Sequence, residues 1–517
     1  MFVMSYTPFG VDGVVIRVEA DIRRGLPGVD ITGLAQGAVK EAKERVRAAF
    51  RNSGFTFPSN RVLINLAPAG VRKEGAALDL PIAISVMAAA GIAPQTDSVM
   101  VLGELELSGR LRPVRGALAA TAAGLAEGVE HFIVPVENAD EARILTQNVA
   151  PAESLKDALN ALVVRYETGS LPPCSVPPQG TCKQSEPFVG DFSEVRAQAI
   201  YKRALEIAAA GGHNLLVFGT PGAGKTMLAR RTPSIMPALT TDESVEVTLL
   251  HSLAGRAQGG LITHPPFRSP HHSASAEGVL GGGRTVRPGE ISLAHFGTLF
   301  MDEAPQFRIN VLQALREPLE DRVISISRAE RQARLPADFQ LIMAANPCPC
   351  GRLGSANSTC LCSPEEVHRY WRKFGGALMD RVELRVAVNS PIEMGKSVSL
   401  MNGQSEETSE RVAERVAQAV GIQRKRFKKE SVSRGVRRNA RMTPSLIQEH
   451  CTLSRDAENA LQKALDKLGV SGRAFHSTLR VARTIADLEG CGAIQAYHID
   501  EAIQYRRLGD DPYDVLC

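Results

Sequence analysis

The run Gly219-Thr220-Pro221-Gly222-Ala223-Gly224-Lys225-Thr226 matches G-x-x-x-x-G-K-[ST]. An apolar run at 215–218 precedes it and the helix-forming stretch MLARR follows, so a strand, loop and helix are expected in that order. Glycines let a backbone wrap phosphate oxygens with successive N–H groups aimed inward. The N-terminus of the helix would add the positive end of its dipole. In such a loop the Lys225 amine neutralises β- and γ-phosphate charge, and the Thr226 hydroxyl ligates Mg2+. The chemistry expected of these eight residues is binding of ATP with its metal.

Cleavage needs acids nearby. In GTLFMDEAPQF an apolar strand ends in Asp302 and Glu303. Asp302 would hold Mg2+ through water, and Glu303 would polarise the attacking water. A third strand, FQLIMAAN, ends at Asn346, where a polar side chain beside the γ-phosphate would orient that water; asparagine also simply stops strands.

Directly beyond lie Cys348 and Cys350, then nine residues, then Cys360 and Cys362. Four sulfurs on one loop suit tetrahedral Zn2+ as a structural ion, although C-x-C is tighter than the usual ligand spacing. Four reduced cysteines lining a loop, or a transient disulfide, are the alternatives.

These elements in this order resemble an AAA+ ATPase. HHSASAEGVLGGG (271–283), PGEISLAHFGTLFMDEAPQF (288–307), NPCPCG (346–351), LMDRVEL (378–384) and VARTIADLEG (481–490) are similar to the Mg-chelatase-like AAA+ family, and within it to the bacterial YifB/ComM branch. The resemblance spans nearly the whole chain. It implies a ring, a hexamer, with each ATP site shared between neighbours. Arg381 is then the arginine finger, and a delocalised, permanently charged guanidinium suits that task better than lysine. Sensor 2 falls to Arg473, with Arg480 as the second choice. In related motors a hairpin between the acids and the third strand enters the pore. Here VISIS and RAERQAR would form it, offering Arg322, Arg328, Arg331 and Arg334 to DNA phosphates. The branch implies helicase or branch-migration activity on single-stranded or branched DNA during recombination of incoming DNA in natural transformation. The rival is an AAA+ remodelling ATPase with a protein client.

Residues 103–138 resemble the proteolytic domain of Lon. A serine–lysine protease needs a hydroxyl nucleophile and an amine to deprotonate it. The matching positions hold Ala77, in KEGAALDLP, and Leu118 or its neighbours, in RGALAAT, where there is no lysine. The domain is therefore expected to be a non-proteolytic scaffold, or the dock for a protein client.

The elements that must position these residues follow from pattern. A chain of 517 residues exceeds one core, and about 100–200 residues per domain predicts roughly three. The expected fold class is α/β multidomain. Residues 1–165 form a Lon-protease-like α/β domain, 166–187 a linker with five prolines, 188–390 the P-loop AAA+ core with its cysteine loop at 348–362, and 391–517 a helical lid. The lid holds a second basic stretch, 423–441, with nine Lys or Arg against one Glu. Such runs are usually solvated faces, and phosphate contact is the sharper alternative. Sixty basic against 56 acidic residues leave a formal charge of +4, too mild to establish an anionic partner. No apolar stretch reaches the roughly 20 residues of a membrane span, and no secretory leader is expected. The clustered cysteines fit a reducing, cytoplasmic location.

Overall fold

The computed structural model describes residues 2–506 except 12, 34–36, 72, 74, 95–97, 173–189, 197, 257–258, 284–285, 329–330, 356–357, 389–405, 431–434 and 469–471. For residues 38, 40, 328, 331 and 465–468 it describes the backbone alone.

Five parallel strands build the central sheet, in the spatial order Phe267–Arg268, Thr298–Met301, Gln340–Ala345, Leu215–Gly219, Leu384–Val388. The three inner strands are buried on both faces, which is why they read as continuous apolar runs. Alternate residues serve opposite layers. Leu215, Val217, Ile342 and Ala344 face the helix Ala199–Gly211 and the C-terminal helices. Leu216, Phe218, Leu341 and Met343 face Phe307, Val367 and Trp371.

Register places the chemistry. Phe218 lies opposite Ala345, and Met301 opposite Met343. The next residues, Gly219, Asn346 and Asp302, therefore emerge together at the carboxyl ends of three strands, where open α/β sheets bind ligands. Gly219 admits no side chain: a Cβ there would stand 1.9 Å from the carbonyl oxygen of Val388.

The N-terminal region is a seven-stranded mixed sheet, in the order Gly28–Thr32, Arg61–Ala67, Val14–Arg23, Phe2–Thr7, Val99–Val101, His131–Pro135, Val149–Ala152. Helix Asp79–Ala89 packs across it, apolar on nearly every side and accordingly buried. The buried Glu141 meets Ser252 of helix Thr241–Leu253 in the central region, and Gly10 abuts Ala333 of the hairpin. Ala77 carries no nucleophile, Leu118 is buried in the core, and Lys73 Nζ donates to the carbonyls of Gly33 and Pro68.

Two expectations need correction, and one motif takes a definite form. The 166–187 stretch is not linker from its start, because helix Leu155–Thr168 runs into it to a left-handed cap at Gly169; residues 173–187 lie outside the described residues. The 271–283 segment holds a helix, Ala276–Leu280, capped by Ser275 Oγ, which accepts the Gly278 N–H. The basic stretch 423–441 is only in part a solvated face, because four of its arginines are half-buried. Arg426 binds Asp487 at 2.6 Å, Arg437 binds Glu243 at 3.1 Å, and Arg441 binds Asp338 at 2.8 Å. These arginines satisfy internal acids; Arg424, Lys425, Lys428 and Lys429 stay exposed.

Candidate ATP site

The loop 219–226 rims a cavity of about 420 Å3, closed by Asp302, Glu303 and residues 344–346. That volume lies within the range of small-molecule sites. Lys225 Nζ donates to the carbonyls of Gly219 (2.5 Å) and Thr220 (3.0 Å) and to Asn346 Oδ1 (3.1 Å). Thr226 Oγ1 donates to Asp302 Oδ2 at 2.8 Å. Five predicted residues, Lys225, Thr226, Asp302, Glu303 and Asn346, therefore share one cavity. A hydroxyl beside a carboxylate is an oxygen donor set of the kind Mg2+ takes.

The helix after the loop is shorter than expected: Lys225–Ala229, then a 3-10 turn Thr232–Ile235. A five-residue helix contributes little dipole, so phosphate binding would rest on the loop N–H groups and Lys225. Two side chains that no motif revealed brace the loop from behind: Gln198 Nε2 donates to the Ala223 carbonyl at 3.0 Å, and the buried Tyr201 hydroxyl to the Lys225 carbonyl at 3.1 Å.

Glu303 sits in the left-handed region, φ 49° and ψ 45°, with its N–H on Asp302 Oδ1 at 3.0 Å. A non-glycine residue there stores of order 1–3 kcal/mol of strain. The strain puts an exposed carboxylate at the cavity mouth, and such outliers concentrate where geometry serves chemistry.

Burial lowers the Lys225 amine to about 8, against the pull of Asp302 and Glu303 toward the charged form. The free protein then loses its phosphate-binding cation as pH rises through 8, while bound phosphates restore the proton. ATP binding near pH 8 should take up a fraction of a proton, and affinity should fall above that pH. Titration calorimetry in two buffers of unlike ionisation enthalpy checks this; identical heats in both buffers would contradict it.

Arg381 and Arg473 line another place. Arg381 Nη2 and Arg473 Nη2 both reach Glu320, the latter at 3.4 Å, and Arg381 Nη1 donates to the Ala377 carbonyl at 2.5 Å. Neither borders the 420 Å3 cavity. Burial, then the guanidiniums of Arg473 and Arg316, lower the Arg381 pKa from its ordinary value. Two guanidiniums, Arg381 and Arg473, thus share one exposed carboxylate, and Arg316 adds to the positive charge about Arg381. Arg480 is half-buried and is not part of the cavity lining; burial lowers its pKa, and Glu383 is the main charge that opposes this.

Strands Val323–Arg328 and Arg331–Pro336 pair antiparallel, with Arg328 opposite Arg331 at the turn. The side chains of Arg328 and Arg331 lie outside the described residues. Arg334 is exposed. Arg322 is not at the tip: half-buried, it donates to the Gly435 carbonyl at 2.7 Å and anchors the hairpin base.

Among the described residues no helix is long and apolar enough to cross a membrane.

Comparison with known proteins places the chain. The family "magnesium chelatase, subunit ChlI" matches residues 191–395, a second ChlI family matches 18–138, and the ChlI C-terminal family matches 406–506. The chain is 40 % identical over 518 residues to competence protein ComM of Haemophilus influenzae, covering 98 % of this chain and 97 % of that protein. It is 38 % identical over 503 residues to YifB of Escherichia coli, covering 96 % and 95 %. A Lon protease of Geobacter metallireducens is 22 % identical over 180 residues, 33 % of this chain and 22 % of that protein. With phosphate loop, paired acids and polar strand end meeting at one cavity, and with relatives matched end to end, the chain belongs to the Mg-chelatase-like family of AAA+ ATPases, alongside YifB and ComM.

Proposed function

We propose that this protein is an ATP-driven ring motor acting on DNA in the cytoplasm. The observation that carries the reading is the single cavity shared by Lys225, Thr226, Asp302, Glu303 and Asn346. Lys225 and the loop N–H groups bind the β- and γ-phosphates. Thr226 and Asp302 would hold Mg2+, which would supply charge neutralisation to the phosphates. Glu303 takes the proton of the attacking water, and Asn346 orients it. Arg381, with Arg473 beside it, faces a neighbouring subunit and meets that subunit's γ-phosphate. Two guanidiniums on one exposed carboxylate leave a net positive charge, and the triphosphate is the anion this family binds. Six subunits close the ring. Structural Zn2+ on the four cysteines belongs to the same reading.

DNA contact falls to the hairpin, through Arg328, Arg331 and Arg334, with Arg322 reassigned to its base. The work done is helicase or branch migration during recombination of incoming DNA; the likeness to a relative named competence protein supports the link to incoming DNA. Single-stranded or branched DNA should raise ATP turnover, with affinity falling steeply as salt rises. Arg328→Glu with Arg331→Glu should weaken DNA binding about tenfold or more at moderate salt and flatten the salt slope by about two. Turnover and binding both indifferent to DNA would favour a protein client docked on the N-terminal region.

A further inference from the structure

Cys348, Cys350, Cys360 and Cys362 converge: their Sγ atoms all lie within 4.8 Å of one another. Cys348 and Cys350 are 3.4 Å apart, and each is 3.6 Å from Cys360. All four are free thiols. With Zn–S bonds of about 2.3 Å, a tetrahedron has edges of about 3.8 Å, close to these separations. Four thiolates select a thiophilic ion over Mg2+ or Ca2+.

The other candidate cluster, Glu489, Cys491 and His498, does not compete. His498 Nδ1 accepts the Gln495 N–H at 2.9 Å, which leaves the proton on Nε2, facing Glu489 at 3.0 Å. That is a helix cap, with no lone pair for a metal.

What the cysteine loop touches gives it a second meaning. Cys348 follows Asn346 by two residues, and Asn346 Oδ1 holds the Lys225 amine at 3.1 Å. Trp371 Nε1 donates to the Pro347 carbonyl at 3.0 Å, and its ring meets Phe218 of the phosphate-loop strand edge-on, centroids 5.6 Å apart. Gly351, at φ +76°, lies so near the phosphate loop that a Cβ would stand 2.9 Å from Pro221 Cγ. Cys348 is buried in the same apolar cluster as Phe218 and Ala345. Between 346 and 363 the described residues form neither helix nor strand. With neither helix nor strand among its described residues, this loop would gain order from a cross-link through the sulfurs.

We propose that Zn2+ bound by these four thiolates sets the nucleotide affinity of the adjoining cavity, a coupling that rests on reading that cavity as the ATP site. With the ion bound, Gly351 is pressed on Pro221 and Asn346 is kept on Lys225. Without it, the loop and both contacts are released. Coupling between two sites is reciprocal, so nucleotide must tighten zinc by the factor with which zinc tightens nucleotide.

The test uses the full chain purified under reducing conditions. Metal analysis should find one zinc per chain. Stripping with an organomercurial and a chelator should weaken binding of the fluorescent analogue mant-ATP about tenfold, and added Zn2+ should restore it, which separates release from unfolding. Zinc affinity against a competing chelator should improve by the same factor when mant-ATP is saturating. Gly351→Ala should keep its zinc and bind mant-ATP more weakly. Unchanged mant-ATP affinity after stripping, or absence of zinc from the reduced protein, would overturn the proposal; iron in its place would overturn the choice of ion. If zinc-loaded protein bound mant-ATP no better than Lys225→Ala, the ATP reading itself would have failed, and the zinc count would still stand.

Discussion

Glu303→Gln should bind ATP and fail to cleave it. The carboxylate is exposed at the mouth of the cavity, and its backbone N–H, not its side chain, makes the bond to Asp302. Exchanging carboxylate for amide keeps shape and leaves the fold intact while removing the proton acceptor. Loss of a positioned general base costs about 10²–10⁴ in rate, so phosphate release should fall by that factor while mant-ATP affinity stays near the parent value. Lys225→Ala should act one step earlier. Its amine meets two loop carbonyls and Asn346, so its removal strips both the cation and the clasp, and binding itself should fail. A Glu303→Gln protein that hydrolyses ATP at the parent rate would remove Glu303 from the mechanism.

Arg381→Ala should lower turnover about 10³-fold or more, the scale of an arginine finger, with little change in ATP affinity. Its guanidinium lies outside the cavity of its own chain, on Glu320 and the Ala377 carbonyl. Truncation leaves Glu320 still within 3.4 Å of Arg473, so little stability should be lost. Arg381→Lys should not rescue the rate, because an ammonium lacks the planar fork that meets two phosphate oxygens. An affinity loss as large as the rate loss would indicate a contact with the chain's own nucleotide instead.

The parts legible in the sequence were those written into contiguous residues. The strands Leu215–Gly219, Thr298–Met301 and Gln340–Ala345 are apolar runs ending in a glycine, an acid pair and an asparagine. A buried parallel strand can carry polar side chains only at its end. The hairpin announced itself by period-two alternation around RAER. What stayed hidden was pairing across long separations. Arg426 and Asp487 lie 61 residues apart, so a run of nine basic residues read as a solvated or phosphate-binding face. Arg322 looked like its neighbours until Gly435 claimed it. Glu320 carries no motif, and only the fold brings Arg381 and Arg473 to it. Gly351 stood in plain view within NPCPCG, but its role needs Pro221 across the gap.

The central claim is that ATP is gripped by one subunit and cleaved with help from the next. Glu303→Gln and Arg381→Ala, each inactive alone, should be mixed under conditions that let subunits exchange. Where an Arg381→Ala subunit supplies the cavity with its intact Glu303, and a Glu303→Gln subunit supplies Arg381, a complete site is rebuilt. The account predicts that the mixture regains ATP turnover well above either parent, in proportion to such mixed junctions. A mixture no more active than its components, with subunit exchange verified, would contradict it.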